Sequence, residues 1–332
     1  MSELATSGTA EETMQNMLQV LPLAVSRPLV PEDGEKQTLS DFVLETIQMN
    51  ELVMQPGDVL CLSSKVVGLF EGCTVRLDDI APSRRSRWLA RLFNKDPRKM
   101  ELMLNAGRVA GVVPMRRIAR KRAGSQALDR LAADTNTRDA ALSLVERYEF
   151  FMAMHGTLIN EAGIDIMNSP LGHVSQLLQF PGHTARDLRL ALKAALGFSL
   201  PVIITDTVAP IGRLGTIDTA IGFSGLSPVE RKLIAKDLFG DLRPGGANIL
   251  VDSLAAIAGA VMGQTTEMTP AVLVRGCNYI PEEDDSETSR MCMERLTYPR
   301  GTAFSGTMLT ILCTIWYHFT SLVVGGRRRR QG

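Results

Sequence analysis

The run LPVIITDT, from Leu200 to Thr207, limits this chain more than any other stretch: a short continuous apolar segment stops on an acid and a hydroxyl, then passes into a glycine-rich loop that reaches Gly222. Such a run reads as a buried strand. A second stretch, HGTLINEAGID from His155 to Asp165, has the same form and again closes on an acid. Strands are therefore expected over 156–160 and 201–205. Between them HTARDLRLALKAALGF reads as a helix with Leu188, Ala191, Leu192 and Ala195 on one face and Arg186, Arg189 and Lys193 on an opposite, basic face. Upstream, LSDFVLETIQMN reads as an amphipathic helix capped by Ser40. QPGDVLCLSSKVVGLFEG reads as a turn and a buried strand that ends at Ser63-Ser64-Lys65, a place suited to an anion. Downstream, SPVERKLIAKDLFG opens like a helix, with Ser227 as cap, Pro228 at the first helical position and Glu230 where a capping box needs it. An apolar helix, GANILVDSLAAIAGAVMG, and a strand, AVLVRG, complete a mixed α/β (α+β) body near Tyr279.

The 332 residues suffice for one large domain or two ordinary ones, and 36 Lys and Arg balance 36 Asp and Glu, so nucleic acid is not an expected partner. Five cysteines without a C-x-x-C pair suit a reducing compartment and argue against structural zinc. The polar, acidic start up to Glu12 lacks the order of a secretory signal, so a cytoplasmic protein is expected. Residues 1–16 read as a tail without fixed structure and 17–280 as the body. A helical, basic insertion at about 107–150 includes MRRIARKRAG, mostly solvated helix and loop. An acidic linker at 281–300 leads to an apolar C-terminal segment, 301–332, that ends in Arg327 to Arg330. Its stretch 306–324 is nearly long enough to cross a bilayer; the other reading is a terminal helix packed on the body or on a partner subunit.

Nucleotide signatures of the G-x-x-x-x-G-K-[ST] and G-x-G-x-x-G types are missing, so any nucleotide must be held in another way. Asp165 and Asp206 each close a β-like run, where acids can share a cleft and hold a hard cation, and Thr207 would add a hydroxyl beside them. Both acids could equally cap turns, because Asp is common where strands end.

The chain resembles the coenzyme F-420 γ-glutamyl ligase family through GDVLCLSSKVV and EG at 57–72, NKDPRKMELML at 94–104 and HGTLINEAGIDIMN at 155–168. The likeness continues through ITDT and the R-G and AIG residues at 204–222, DLFG at 237–240, and AVMGQ with VLVRG at 260–276. The resemblance implies a GTP-dependent ligase that joins L-glutamate to a deazaflavin precursor with Mg²⁺ or Mn²⁺, on an α/β body that forms an intertwined homodimer. It places Asp165, Asp206 and Thr207 on metal ligands and Ser64 and Asn168 on nucleotide contacts. In such chemistry a phosphoryl group activates a carboxylate for attack by an amine. Arg213 would steady a phosphate or a substrate carboxylate, with a plain surface charge as its other reading, and Lys65 would pair with phosphate or remain solvated. His155 would help deprotonate the amine or serve structure alone. Departures from the family pattern are Leu69 where a second lysine is usual, FPG at 180–182 and APIGR at 209–213. These leave open a non-catalytic or altered-substrate member that acts as a nucleotide-binding or interaction module.

Overall fold

The computed structural model describes residues 17–120, 122–154, 157–208, 215–229, 234–244 and 248–282. Outside them lie His155, Arg213, Glu230, residues 1–16 and the segment 283–332 with its apolar C-terminal stretch. In chain order the strands are β1 (Gln19–Leu23), β2 (Val59–Ser63), β3 (Thr74–Arg76), β4 (Arg108–Val113), β5 (Glu149–Met154), β6 (Thr157–Asn160), β7 (His173–Ser175), β8 (Val202–Val208), β9 (Ile217–Ser224), β10 (Ile234–Lys236), β11 (Leu242–Pro244) and β12 (Ala271–Arg275).

The body is a five-stranded sheet in the order β1-β12-β2-β8-β9. Only β2 and β8 run parallel, with Ser63 opposite Thr205. β2, β12 and the first residues of β8 are continuous apolar runs because both faces are covered, whereas the edge strands β1 and β9 are partly exposed. Leu60, Leu62, Val202, Ile204 and Leu273 pack with Phe42, Val43, Leu188 and Leu192 of the helices Leu39–Met49 and Pro181–Leu196. Val59, Cys61, Ile203, Val272 and Val274 pack with Val251, Leu254, Ala255 and Ala258 of the helix Leu250–Met262. The mixed α/β reading therefore holds for the body. A third cluster joins Ala90, Met100 and Met103 of the helices Arg84–Phe93 and Pro97–Ala106 to Phe150, Met152 and Ala162.

Several expectations change. Thr38, not Ser40, caps the helix Leu39–Met49: its side chain accepts from the Asp41 amide, and Ser40 lies within the first turn. The strand after Gly57 stops at Ser63, and Ser64 and Lys65 open the short helix Ser64–Phe70, whose Leu69 is buried. In the helix Pro181–Leu196 the buried stripe is Ala185, Leu188, Arg189 and Leu192, while Ala191 and Ala195 are exposed. Arg189 is 1% exposed; its Nε donates to Ser224 Oγ at 3.0 Å and a terminal nitrogen to Ser199 Oγ at 2.7 Å. Its charge thus serves the interior, not a basic face.

Ser227 caps no helix: its amide donates to the Ile280 carbonyl, Leu226 bridges Pro281 and Val229 bridges Ile249, so the segment is tied out in extended pairing. Ile234–Lys236, expected as helix, pairs as β10 with β11. Between 108 and 160 the chain adds a sheet, β4-β5-β6, that the charge pattern concealed; short helices at Met115–Ala119, Arg122–Leu131 and Thr135–Leu144 connect β4 to β5. Among the described residues no helix is long and apolar enough to cross a membrane.

Candidate active site

The parallel pair β2 and β8 ends side by side, which brings the start of the helix Ser64–Phe70 over the last residues of β8. Ser64 Oγ donates to Asp206 Oδ1 at 2.7 Å. The next residue reaches the other acid: Lys65 Nζ donates to Asp165 Oδ2 at 2.5 Å and to the Met167 carbonyl at 2.5 Å. Two adjacent residues thus tether acids that stand far apart in sequence. Asp165 is fixed from behind, its backbone paired in both directions with Ser175 and its Oδ1 accepting from the Met167 amide at 2.8 Å. Asn168 follows in left-handed conformation and donates to the Thr265 carbonyl at 2.8 Å.

Thr207 takes a different partner. Strand alternation turns it to the opposite side of the sheet from Asp206, and its hydroxyl donates to Asp218 Oδ1, across the β8–β9 ladder, at 2.8 Å. Gln264, just past the helix Leu250–Met262, donates to Thr216 Oγ1 at 3.2 Å and reaches Thr207 Oγ1 at 3.5 Å. Asp218 and Gln264 are the polar residues that inspection of the sequence missed. Asp218 was findable from the hairpin register, which sets it opposite Thr207 once β9 is recognised as a strand.

Burial pushes the Asp206 carboxyl up to about 6 against the Ser64 hydroxyl, and Asp218 raises it further while Lys65 opposes. Burial also raises Asp218, opposed by the Thr207 hydroxyl, and Asp252, opposed by the Ala220 amide. Such acids gain from a cation that enters the site. The donors are all oxygen, which suits a hard divalent ion. Among the described residues no three His, Cys, Asp or Glu side chains form a ready cage.

Residues 30–276 match the family described as F420-0:Gamma-glutamyl ligase. The chain belongs to that family. Its members are ligases, and the chain is therefore an enzyme of that class. It is 31% identical over 259 residues to a coenzyme F420:L-glutamate ligase of Methanopyrus kandleri, covering 78% of this chain and 87% of that protein. The corresponding protein of Methanothermobacter thermautotrophicus is 30% identical over 74% of this chain and 86% of its own length. That of Methanosarcina mazei is 28% identical over 79% and 89%. Leu69, expected from the resemblance to stand in place of a lysine, packs its side chain inward at 9% exposure.

Proposed function

We propose that this chain joins L-glutamate to a deazaflavin precursor of coenzyme F420 through an amide bond, with GTP as phosphoryl donor and Mg²⁺ or Mn²⁺ at Asp165 and Asp206. One observation carries the reading: Ser64 and Lys65, at the mouth of the parallel strand pair, each hydrogen-bond one of the two acids. Relatives that are coenzyme F420:L-glutamate ligases support the choice of substrates.

The precursor's carboxylate oxygen attacks the γ-phosphorus of GTP, the bond to the β-phosphate oxygen breaks, and GDP leaves. The glutamate amine then attacks the acyl carbon, phosphate departs, and the nitrogen loses a proton. A divalent ion would neutralise charge on the phosphates during transfer, and drawing part of its ligand shell from them fits an incomplete protein cage. Asp165 and Asp206 would hold the ion, while Thr207, assigned a hydroxyl ligand by the resemblance, is engaged with Asp218 on the other face of the sheet and would have to leave it to join them. Lys65, released from Asp165, is placed for a phosphate oxygen; Ser64 and Asn168 serve as nucleotide contacts. Arg213, outside the described residues, is assigned the substrate carboxylate or a phosphate. The enzyme acts as a homodimer.

The test is GDP release from GTP by purified protein given Mn²⁺, glutamate and the precursor, with mass analysis of the product. A gain of one glutamyl unit, abolished by Asp206→Asn, supports the reading. Nucleotide and Mn²⁺ binding without turnover on any carboxylic acid would leave the non-catalytic module as the better description.

A further inference from the structure

The matched block at 94–104 gives no hydrogen bond to Asp165, Asp206, Ser64 or Lys65, yet it contains a buried cation. The Lys95 side chain is only 3% exposed. Its ammonium donates to Glu146 and, at 2.8 Å, to Glu161 Oε2, and lies 5.6 Å from the centre of the Phe150 ring. The stem is anchored: Asn94 closes the helix Arg84–Phe93 in left-handed conformation, the Lys95 amide donates to the Ala90 carbonyl, and Asp96 caps the next helix.

What Lys95 grips is unusual. Glu161, Ala162 and Gly163 have φ of 50°, 58° and 68°, three successive residues in the left-handed region, where only glycine sits without strain. Side chains hold this turn in place. Glu161 Oε1 accepts from the Phe150 amide at 2.7 Å while Oε2 takes Lys95, and Ala162 is buried against Met100, Met103 and Phe150. The chain leaves the turn through Ile164 directly into Asp165, whose backbone pairs with Ser175 and whose carboxylate meets Lys65. A change at Glu161 therefore rotates the segment that aims Asp165.

We infer that Lys95 is a positioning residue: by clamping Glu161 it fixes the left-handed turn and hence the direction in which Asp165 presents its carboxylate to a divalent ion. The inference rests on the assignment of Asp165 as a metal-holding acid. Without the ammonium, the largely buried Glu161 faces the half-exposed Glu146 with no counter-charge, and the turn relaxes as Glu161 returns to negative φ.

Two measurements test it on the full chain, each with Lys95→Met, Lys95→Arg and Glu161→Gln. Glu161→Gln serves if Lys95→Met does not fold. Amide hydrogen exchange across 161–167, read without metal, should be about tenfold or more faster in Lys95→Met and Glu161→Gln, while Lys95→Arg restores protection. The Mn²⁺ dissociation constant, measured with the metal alone, should rise about tenfold in the first two variants and recover in the third. Unchanged exchange across 161–167 in a folded variant overturns the clamp, as does wild-type Mn²⁺ affinity where Asp165→Asn loses it. If Asp165→Asn binds Mn²⁺ normally, the metal assignment of Asp165 fails, and with it the aim ascribed to Lys95, whatever the exchange shows.

Discussion

Asp206 is held at a cost that pH can reveal. Its carboxyl is raised to about 6 from the ordinary 3.8, so the folded state favours the protonated form. For an acid raised in this way, stability is fully present below pH about 4 and is lost as pH climbs through 6, reaching a deficit of about 3 kcal/mol at pH 8. Asp206→Asn keeps an oxygen to accept from Ser64 and removes the charge. The variant, free of metal, should melt several degrees above the parent at pH 8 and together with it at pH 4, as calorimetry at the two pH values would read. Parallel pH profiles would sink the assignment. Saturating Mn²⁺ should stabilise the parent alone. Asp165 and Asp206 were legible in the sequence because an apolar run that stops on an acid is a local pattern. Asp218 and Arg189 were not, since the first depends on the β8–β9 pairing and the second on serines, Ser199 and Ser224, that other elements bring to it.

Helix ends and helix contacts show which local signals the fold kept. Thr38 and Ser40 both fit a cap by residue type, and the accepting hydroxyl is Thr38. Thr38→Ala should therefore cost about 1 kcal/mol in urea unfolding, and Ser40→Ala less than about half of that. The reverse order would restore Ser40 as the cap. A similar contest decides Gly259, inside the helix Leu250–Met262: alanine is favoured there by about 1 kcal/mol on propensity alone. Its Cβ, however, would stand 2.4 Å from Asp218 Oδ2 and 2.7 Å from Asp218 Cβ, so β9 itself would have to move. Gly259→Ala should destabilise by about 1–3 kcal/mol and loosen the Thr207–Asp218 bond; a variant that unfolds at higher urea would contradict this. Of the five-stranded sheet, β2, β8 and β12 were legible because apolar runs buried on both faces need no partner to be recognised; β1 was not, nor was β9, which occupies part of the stretch expected as a glycine-rich loop. The β4-β5-β6 sheet was not, because Arg108, Arg116 and Arg117 lie in or beside it and charge hid its alternation. The helix expected from Ser227 failed for a related reason: cap chemistry is local, whereas the pairings to Ile280, Pro281 and Ile249 come from distant segments.

On the scale of the whole molecule, the described surface has one arm that water alone does not explain. β10 and β11 pair only with each other, and a two-stranded hairpin is marginal in water unless something packs on it. The arm exposes Ile234, Leu238, Phe239 and Leu242 at 68%, 102%, 91% and 70%, a concentration of apolar surface of the kind that marks an interface. Its turn is nevertheless well ordered. Asp237 accepts from the Phe239 and Asp241 amides, and Arg243 bridges Asp237 and Asp241. Order at the base with bare apolar side chains at the tip fits an element built to be covered by a second subunit, in keeping with the proposed homodimer. Replacing both Leu238 and Phe239 by Ser removes the apolar tip and leaves the Asp237 and Arg243 contacts intact. Sedimentation should then show monomers at concentrations where the parent is dimeric, and the pH-dependent melting ascribed to Asp206 should persist, since that acid lies within the body. A dimer that survives the double replacement would move the interface elsewhere on the surface. A monomeric parent would remove the reason given for the arm.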